Sequence, residues 1–421
     1  MDKKSIAVVA FALFSLFFGA GNLILPPQLG FKAGELWWLV ALGFCLSAVL
    51  IPILGIVAHS KLQGTMFNFA EKVSPTFSLV YCYIVYAISI ALPSPRTASV
   101  THEMAIQPVS DTSSLITSLV YFALVFVFVI NRSKILDIIG KFLTPAILFV
   151  LLLVLGIATV TLDLSFGPST FDSPFSYAIL EGYQTFDAIG AVVVGGVIII
   201  SINLKHKQAD YEAKKRLIAK AGILAGLGLF LIYAGLMFTG ALFQDNFEAD
   251  ISRTALLRGI SLATLGNVAH GFLTVLVSLA CFTTAVGIVT GTADFIKGRF
   301  GESQKAYTAT AILGCVLGVL MGQFNVGYII AVALPALMFI YPITIVLILL
   351  NAIPVKYTSR KVFRWVVLIT ILFSVPDFLG SIGYGDAIAP FTSWIPLKNF
   401  HMGWVVPAMV VFIIGNFGKR K

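Results

Sequence analysis

The sequence predicts an all-α integral membrane protein with twelve transmembrane helices, and three observations carry that expectation. Of its 421 residues, 58% are hydrophobic and 11% charged, against roughly a quarter charged in an ordinary soluble domain. The apolar residues gather into twelve runs, each near the ~20 residues needed to cross a hydrocarbon core. The basic residues fall in alternate short loops, as the positive-inside rule requires. Twelve spans leave roughly 14 residues for each loop or tail. No large soluble domain fits in that remainder, so the chain reads as one polytopic domain over 1–421.

Apolar length and punctuation place the spans in order. Lys3 and Lys4 precede span one, Ser5–Gly30; span two is Leu36–Ala58, and Lys61 and Lys72 separate it from span three. Span three starts near Thr76 and is interrupted at Pro93-Ser94-Pro95, and span four covers Leu115–Ile130. Arg132, Lys134 and Lys141 mark the turn into span five, Ile135–Thr161. Span six runs from about Tyr177 to Asn203, and a basic loop separates it from span seven, Leu217–Phe243. Spans eight to ten cover Ser261–Ile296, Tyr307–Gly322 and Val326–Leu350; Val362–Leu379 and about Met402–Gly415 complete the set. With a cytoplasmic N-terminus, all 28 Lys and Arg fall in inside loops or tails except Lys32, Arg96, Arg253, Arg258 and Lys398. Both termini are therefore expected in the cytoplasm.

The net charge of +9 is accounted for by this topology signal, and no nucleic-acid partner is expected. Cys45, Cys82, Cys281 and Cys315 all lie in apolar runs without C-x-x-C spacing and read as buried hydrophobes. The five histidines have no partner at metal-binding spacing. Lys3-Lys4 followed by an apolar run can also be a signal peptide, with the small residues near Ala20 as its cleavage site. The run continues through Leu23-Ile24-Leu25, which favours a retained span.

Several residues do not suit a plain membrane helix. Phe17-Phe18-Gly19-Ala20-Gly21-Asn22, followed by Pro26-Pro27, combines two glycines, a buried amide and a proline pair. As one helix, Ser5–Gly30 would be ~39 Å long, more than the ~30 Å core requires. A helix broken near mid-membrane is expected, its free N–H groups able to hold a carboxylate and its free carbonyls a cation. Close helix packing is the alternative use of the glycines, but Gly19 and Gly21 stand two apart and do not share a helix face. Span six carries Glu181-Gly182-Tyr183-Gln184-Thr185-Phe186-Asp187, two carboxylates that need partners or a polar cavity. They can equally be helix N-terminal charges just outside the bilayer. Interrupted spans one and six lie five apart, as two five-span halves of inverted topology would place them.

In span eight, Thr283 and Thr284 can bond back to their own helix, or join the carbonyl of Ala280 in an oxygen cage for sodium. Arg96 can snorkel to the headgroups, or pair with Glu103, Glu181 or Asp187. Asp137, Asp294, Asp377 and Asp386 lie near span ends and are expected at the interface.

These residues resemble those of the bacterial branched-chain amino acid:cation symporters, the carrier family for leucine, isoleucine and valine. Phe18-Gly19-Ala20-Gly21-Asn22-Leu23-Ile24 with Pro26-Pro27 is similar to that family's first-helix signature, and Pro95-Arg96-Thr97 with Glu103 to its third-helix motif. Glu181-Gly182-Tyr183 with Thr185 and Asp187 resembles the start of its sixth helix, and Thr283-Thr284-Ala285 its eighth. Ser94 and His102 depart from the pattern and bear on side-chain preference.

The resemblance implies a LeuT-type fold, a five-plus-five inverted repeat (about 5–161 and 177–350) with two additional helices (about 362–417). It implies a substrate site made of Gly19, Ala20, Gly21, Asn22, Glu181, Gly182, Tyr183, Thr185, Phe186 and Asp187. The substrate carboxylate would meet the N–H groups of Ala20, Gly21 and Asn22, and the ammonium the acidic, unwound sixth helix. Sodium would be held by carbonyls of Ser15, Phe18 and Ala280 and the hydroxyls of Thr283 and Thr284. No cofactor and no enzymatic activity are expected. A proton-coupled carrier of the same fold, with Glu181 or Asp187 as proton acceptor, is the nearest alternative. A channel or a membrane-embedded enzyme fits less well, for want of pore-lining rings or a nucleophile–base pair. The resemblance places the protein in the bacterial inner membrane.

Overall fold

The computed structural model describes residues 3–131, 135–193, 195 and 210–417. The described residues form helices joined by short loops, with no strand among them. In chain order the helices are α1 (Lys3–Phe17), α2 (Ala20–Ala33), α3 (Trp37–Cys45), α4 (Ile51–Leu62), α5 (Met66–Ala70), α6 (Pro75–Ala91) and α7 (Pro93–Thr101). Next come α8 (Ser114–Ile130), α9 (Ile135–Thr161), α10 (Pro174–Tyr183) and α11 (187–193). The remainder are α12 (Tyr211–Leu242), α13 (Arg253–Arg299), α14 (Gln304–Gly322), α15 (Val326–Ala352), α16 (Arg360–Leu379), α17 (Gly385–Thr392) and α18 (Val405–Asn416). The expected continuation of span six to Asn203 lies largely outside the described residues, as do Arg132, Lys134 and the basic residues at the C-terminus.

Seven helices begin where a short polar side chain takes up an orphaned N–H. Ser74, Ser113, Asp210, Ser252, Ser303, Asn325 and Ser359 each accept from the amide three residues on, worth about 1 kcal/mol apiece. Helix α2 begins differently. Its N-cap is Gly19, in extended conformation, and no side chain caps the helix by hydrogen bond from that position.

Seven helical stretches among the described residues are long and apolar enough to cross a membrane: Gly21–Leu62, Pro75–Ile106, Tyr211–Leu242, His270–Arg299, Gln304–Gly322, Val326–Ala352 and Arg360–Thr392. Three shorter apolar helices, Ser114–Ile130, Pro145–Thr161 and Val405–Asn416, accompany them. One expected boundary is corrected. Span eight does not run unbroken from Ser261, because Gly266 adopts φ 70° and ψ 179°. That left-handed φ suits glycine and divides a first helical segment, which opens at Arg253, from the apolar stretch His270–Arg299.

Two apolar cores organise the bundle. Leu13, Phe17, Leu23, Ile24, Phe44 and Leu229 bring α1, α2, α3 and α12 together with α13. Phe69, Tyr81, Tyr183, Ile340 and Phe363 join α5, α6 and α10 to α15 and α16. Phe11, Leu119, Ile223, Leu231, Phe272, Leu313, Leu372 and Ile414 point outward, a surface suited to lipid rather than water. All four cysteines are buried and free. Asp377, expected at the interface, is instead buried near the end of α16. Lys398 Nζ stands 3.7 Å and His401 Nδ1 3.6 Å from its carboxylate.

Candidate functional site

The two helix breaks meet inside the bundle. Span one is interrupted between Phe17 and Ala20, where α1 stops and α2 starts. Span six is interrupted between Tyr183 and 187. Within the second break, Thr185 donates its hydroxyl to the carbonyl of Gly182 at 2.8 Å and accepts from the Asp187 N–H at 3.2 Å. Phe186 lies there at φ 62°, a left-handed conformation that costs a non-glycine residue about 1–2 kcal/mol. Tyr341 of α15 supports the same turn. Its hydroxyl accepts from the Ala188 N–H at 3.2 Å, and its ring stacks on Tyr183 at 4.2 Å. Gly182 lies against Ser47 and the carbonyl of Phe44, so α10 and α3 approach closely at that point.

One buried network joins the breaks. The Asn22 amide donates to Asp187 Oδ2 at 2.6 Å and to the Tyr233 hydroxyl at 2.5 Å. Its carbonyl oxygen accepts from the Gly19 N–H at 3.4 Å. Asn22, Asp187 and Tyr233 are all buried, so α2, α11 and α12 are tied by buried side chains. Phe18 stacks on Tyr233 with ring centroids 6.2 Å apart, which closes the apolar side of the break.

Arg96 stands at the same place. It is buried on α7, donates Nη1–H to the Gln184 carbonyl at 2.7 Å, and lies 5.4 Å from the Phe186 ring. A Cβ on Gly21 would come within 2.6 Å of its Nη2, so this position in α2 admits only glycine while Arg96 occupies that space. Arg96 bonds to none of the three acidic partners considered from the sequence. Glu181 forms its ion pair with Arg253, at the start of α13. Glu103 accepts from the Thr254 hydroxyl and, at 2.8 Å, from the Val326 N–H that opens α15. Glu181 thus ties α10 to the start of α13 and, among the described residues, shares no hydrogen bond with the Asn22–Asp187 network.

The residues considered for sodium are brought together in part. An added Cβ at Gly19 would lie 3.7 Å from Thr284 Oγ1, so the break in span one faces the threonine pair of α13. Both hydroxyls donate to the Ala280 carbonyl, Thr283 at 3.0 Å and Thr284 at 2.9 Å. A hydroxyl that spends its proton in this way turns its lone pairs outward, as a cation ligand must. The Ala280 carbonyl, by contrast, already accepts both hydroxyls within the helical run of α13. Ser15 sits on the last turn of α1, and the Phe18 N–H still donates to the Phe14 carbonyl at 3.0 Å. Among the described residues, no group of three or more His, Cys, Asp or Glu could hold a metal ion.

Sequence reasoning did not single out Tyr233, Tyr341 or the Arg253 partner of Glu181. The signal available was a tyrosine within a long apolar span, since a hydroxyl in hydrocarbon needs a partner.

A helical bundle with two such interruptions facing each other has the architecture of LeuT-like transporters, and solved structures agree. The chain matches the inward-facing conformation of Mhp1 with a TM-score of 0.64 at 14% identity, over 97% of this chain and 90% of that one. It matches MhsT in complex with L-phenylalanine with a TM-score of 0.55 at 16% identity, over 98% of each. At these identities the likeness is one of fold.

The chain belongs to the family of branched-chain amino acid transport proteins, whose model matches residues 2–421. It is 32% identical over 424 residues to the branched-chain amino acid permease BrnQ of Corynebacterium glutamicum, covering 99% of this chain and 95% of the relative. It is 31% identical over 431 residues to the branched-chain amino acid permease BraB of Bacillus subtilis, with 99% and 95% covered. The resemblance read from the motifs of spans one, three, six and eight is borne out, and the protein is a transporter rather than an enzyme.

Proposed function

We propose that this protein is a secondary active symporter that imports leucine, isoleucine and valine with sodium, by alternating access, across the bacterial inner membrane. On this reading both termini are cytoplasmic and the chain crosses twelve times. Two five-span repeats of inverted topology (about 5–161 and 177–350) are followed by two further helices (about 362–417). The observation that carries the reading is the junction of the two breaks, where α2 starts with no side-chain cap beside a buried carboxylate, Asp187. The amides of Ala20, Gly21 and Asn22 suit a carboxylate, and Asp187 with the carbonyls of the second break suits an ammonium. A branched aliphatic side chain needs a dry pocket, and Phe18, Phe186, Tyr183 and Tyr341 line the vicinity. One methylene is worth only ~1–3 kcal/mol in such a pocket, so the three substrates are shared rather than sharply separated.

Sodium would bind between the break in span one and α13, near Ser15, Phe18, Ala280, Thr283 and Thr284. Its arrival would hold α1 against α13 and order the break, after which the amino acid bridges spans one and six. Release into the cytoplasm would loosen that contact. Each charge moved inward contributes ~2.3 kcal/mol per 100 mV of membrane potential.

A proton-coupled carrier is the second reading. It is favoured by the burial of Asp187 and by threonine hydroxyls already satisfied within α13. The deciding experiment is uptake of labelled leucine into proteoliposomes under an imposed sodium gradient or an imposed proton gradient. Sodium-driven uptake alone supports the first reading. Proton-driven uptake alone moves the coupling site to a carboxylate, and no leucine uptake under either gradient sinks both.

A further inference from the structure

We propose that Arg96 is the receptor for the substrate's α-carboxylate, which makes the central site selective for zwitterions: Arg96 and the N-terminus of α2 take the carboxylate, and Asp187 takes the ammonium. The proposal rests on the amino-acid reading above and adds a residue from a third span to the site.

The argument begins with charges of like sign. The N-terminus of a helix carries a partial positive charge on its free N–H groups, and α2 starts at Gly19 without a side-chain cap. Against that same turn stands a guanidinium, since Arg96 Nη2 is 2.6 Å from where a Gly21 Cβ would be. Two positive poles in contact repel unless an anion satisfies both. The guanidinium also has donors to spare. Nη1 is used by the Gln184 carbonyl, while Nε is buried and makes no hydrogen bond among the described residues. A buried donor without a partner is unfavourable, and a carboxylate oxygen is the partner that guanidinium geometry suits best.

The remaining charges point the same way. Glu181 and Arg253 pair with each other, and Glu103 is engaged by Thr254 and the start of α15. Among the described residues that leaves one buried cation, Arg96, and one buried anion, Asp187, at the junction of the breaks. Among the described residues these two make no direct ion pair; each is hydrogen-bonded to a neutral group, the Gln184 carbonyl and the Asn22 amide. Opposite charges in one buried site attract strongly, and unpaired they match a ligand that carries both signs. The Phe186 ring, 5.4 Å from the guanidinium, and Pro93 and Pro95 at the start of α7 hold Arg96 in position.

The alternative is that Arg96 is only a bolt between α7 and α10, and ligand chemistry separates the two. Purified full-length protein in detergent would be titrated with leucine, with leucinamide, which keeps the ammonium but lacks the carboxylate, and with 3-methylbutylamine. The wild type is expected to prefer leucine to leucinamide by about 10- to 100-fold, the range for a hydrogen bond to a charged group. In Arg96→Gln, leucine should weaken by about that factor while leucinamide and the amine hold, so that the preference disappears. Arg96→Lys keeps the charge but loses the fork and should fall between. Equal weakening of leucine and leucinamide in Arg96→Gln would overturn the assignment, as would a wild type that binds both alike. If Arg96→Gln does not fold, as read by thermal unfolding, Arg96→Lys decides: an unchanged preference for leucine over leucinamide in that variant would overturn the assignment. A wild type that binds no leucine at all overturns the amino-acid reading, and this assignment with it.

Discussion

At the helix breaks, Asn22, Asp187 and Tyr233 bond to one another across three spans, whereas on α13 both Thr283 and Thr284 bond to a carbonyl of their own helix. Both clusters put polar groups in the bundle interior, and both satisfy them. The first does so only while α2, α11 and α12 keep their places, so its bonds hold the spans in register. The second is complete within a single helix and would survive a shift of that helix. Loss of a bond in the first cluster strands a buried partner on another span. In the second, it removes a back-bond that a membrane helix can do without.

The sharpest way to break the comparison is Gly21→Leu. Its side chain would enter the space of the Arg96 guanidinium, and leucine binding should be lost altogether. Normal uptake would remove the argument from the broken helix. Asp187→Asn comes next, with transport expected to fall by about 10- to 100-fold if a buried charge is required. A fall below ~5-fold would mean that Asp187 only favours a helix start, a role worth about 1 kcal/mol or less. Tyr233→Phe removes one of two acceptors of the Asn22 amide while Asp187 remains, so leucine affinity should drop by about 5-fold, near 1 kcal/mol. Thr284→Ala should have the smallest effect on the fold, a few tenths of a kcal/mol in thermal unfolding. It should nonetheless raise the sodium concentration needed for half-maximal uptake while leaving leucine affinity at saturating sodium unchanged. An unaltered sodium response would show that Thr284 is no ligand.

Much of the fold was legible because membrane spans declare themselves locally. Apolar length and basic loops located the helices, Gly19, Gly21 and Asn22 marked the first break, and the carboxylates Glu181 and Asp187 drew attention to the second without fixing where the helix stops. What was not legible is which residues meet. Asn22 and Tyr233 are 211 positions apart, and no periodicity links them. Arg96 had three acidic candidates in the sequence, yet its bond is to a main-chain carbonyl, a partner that exists only because α10 ends there. The division of span eight was overlooked for a local reason. Gly266 sits within an apolar stretch, while the helix begins upstream at an ordinary serine cap, Ser252. Asp377 looked interfacial by its position at a span end, yet it is buried, and the cationic groups near it, Lys398 and His401, come from beyond α17.

The self-contained threonine pair has an evolutionary consequence. A ligand set whose members are already satisfied within one helix can be gained or lost by single substitutions with little damage to folding. The Asn22–Asp187–Tyr233 network offers no such freedom, since each change there strands a neighbour. If the pair holds the proposed cation and the network the proposed amino acid, ion dependence would change by single substitutions more readily than recognition of the amino-acid backbone.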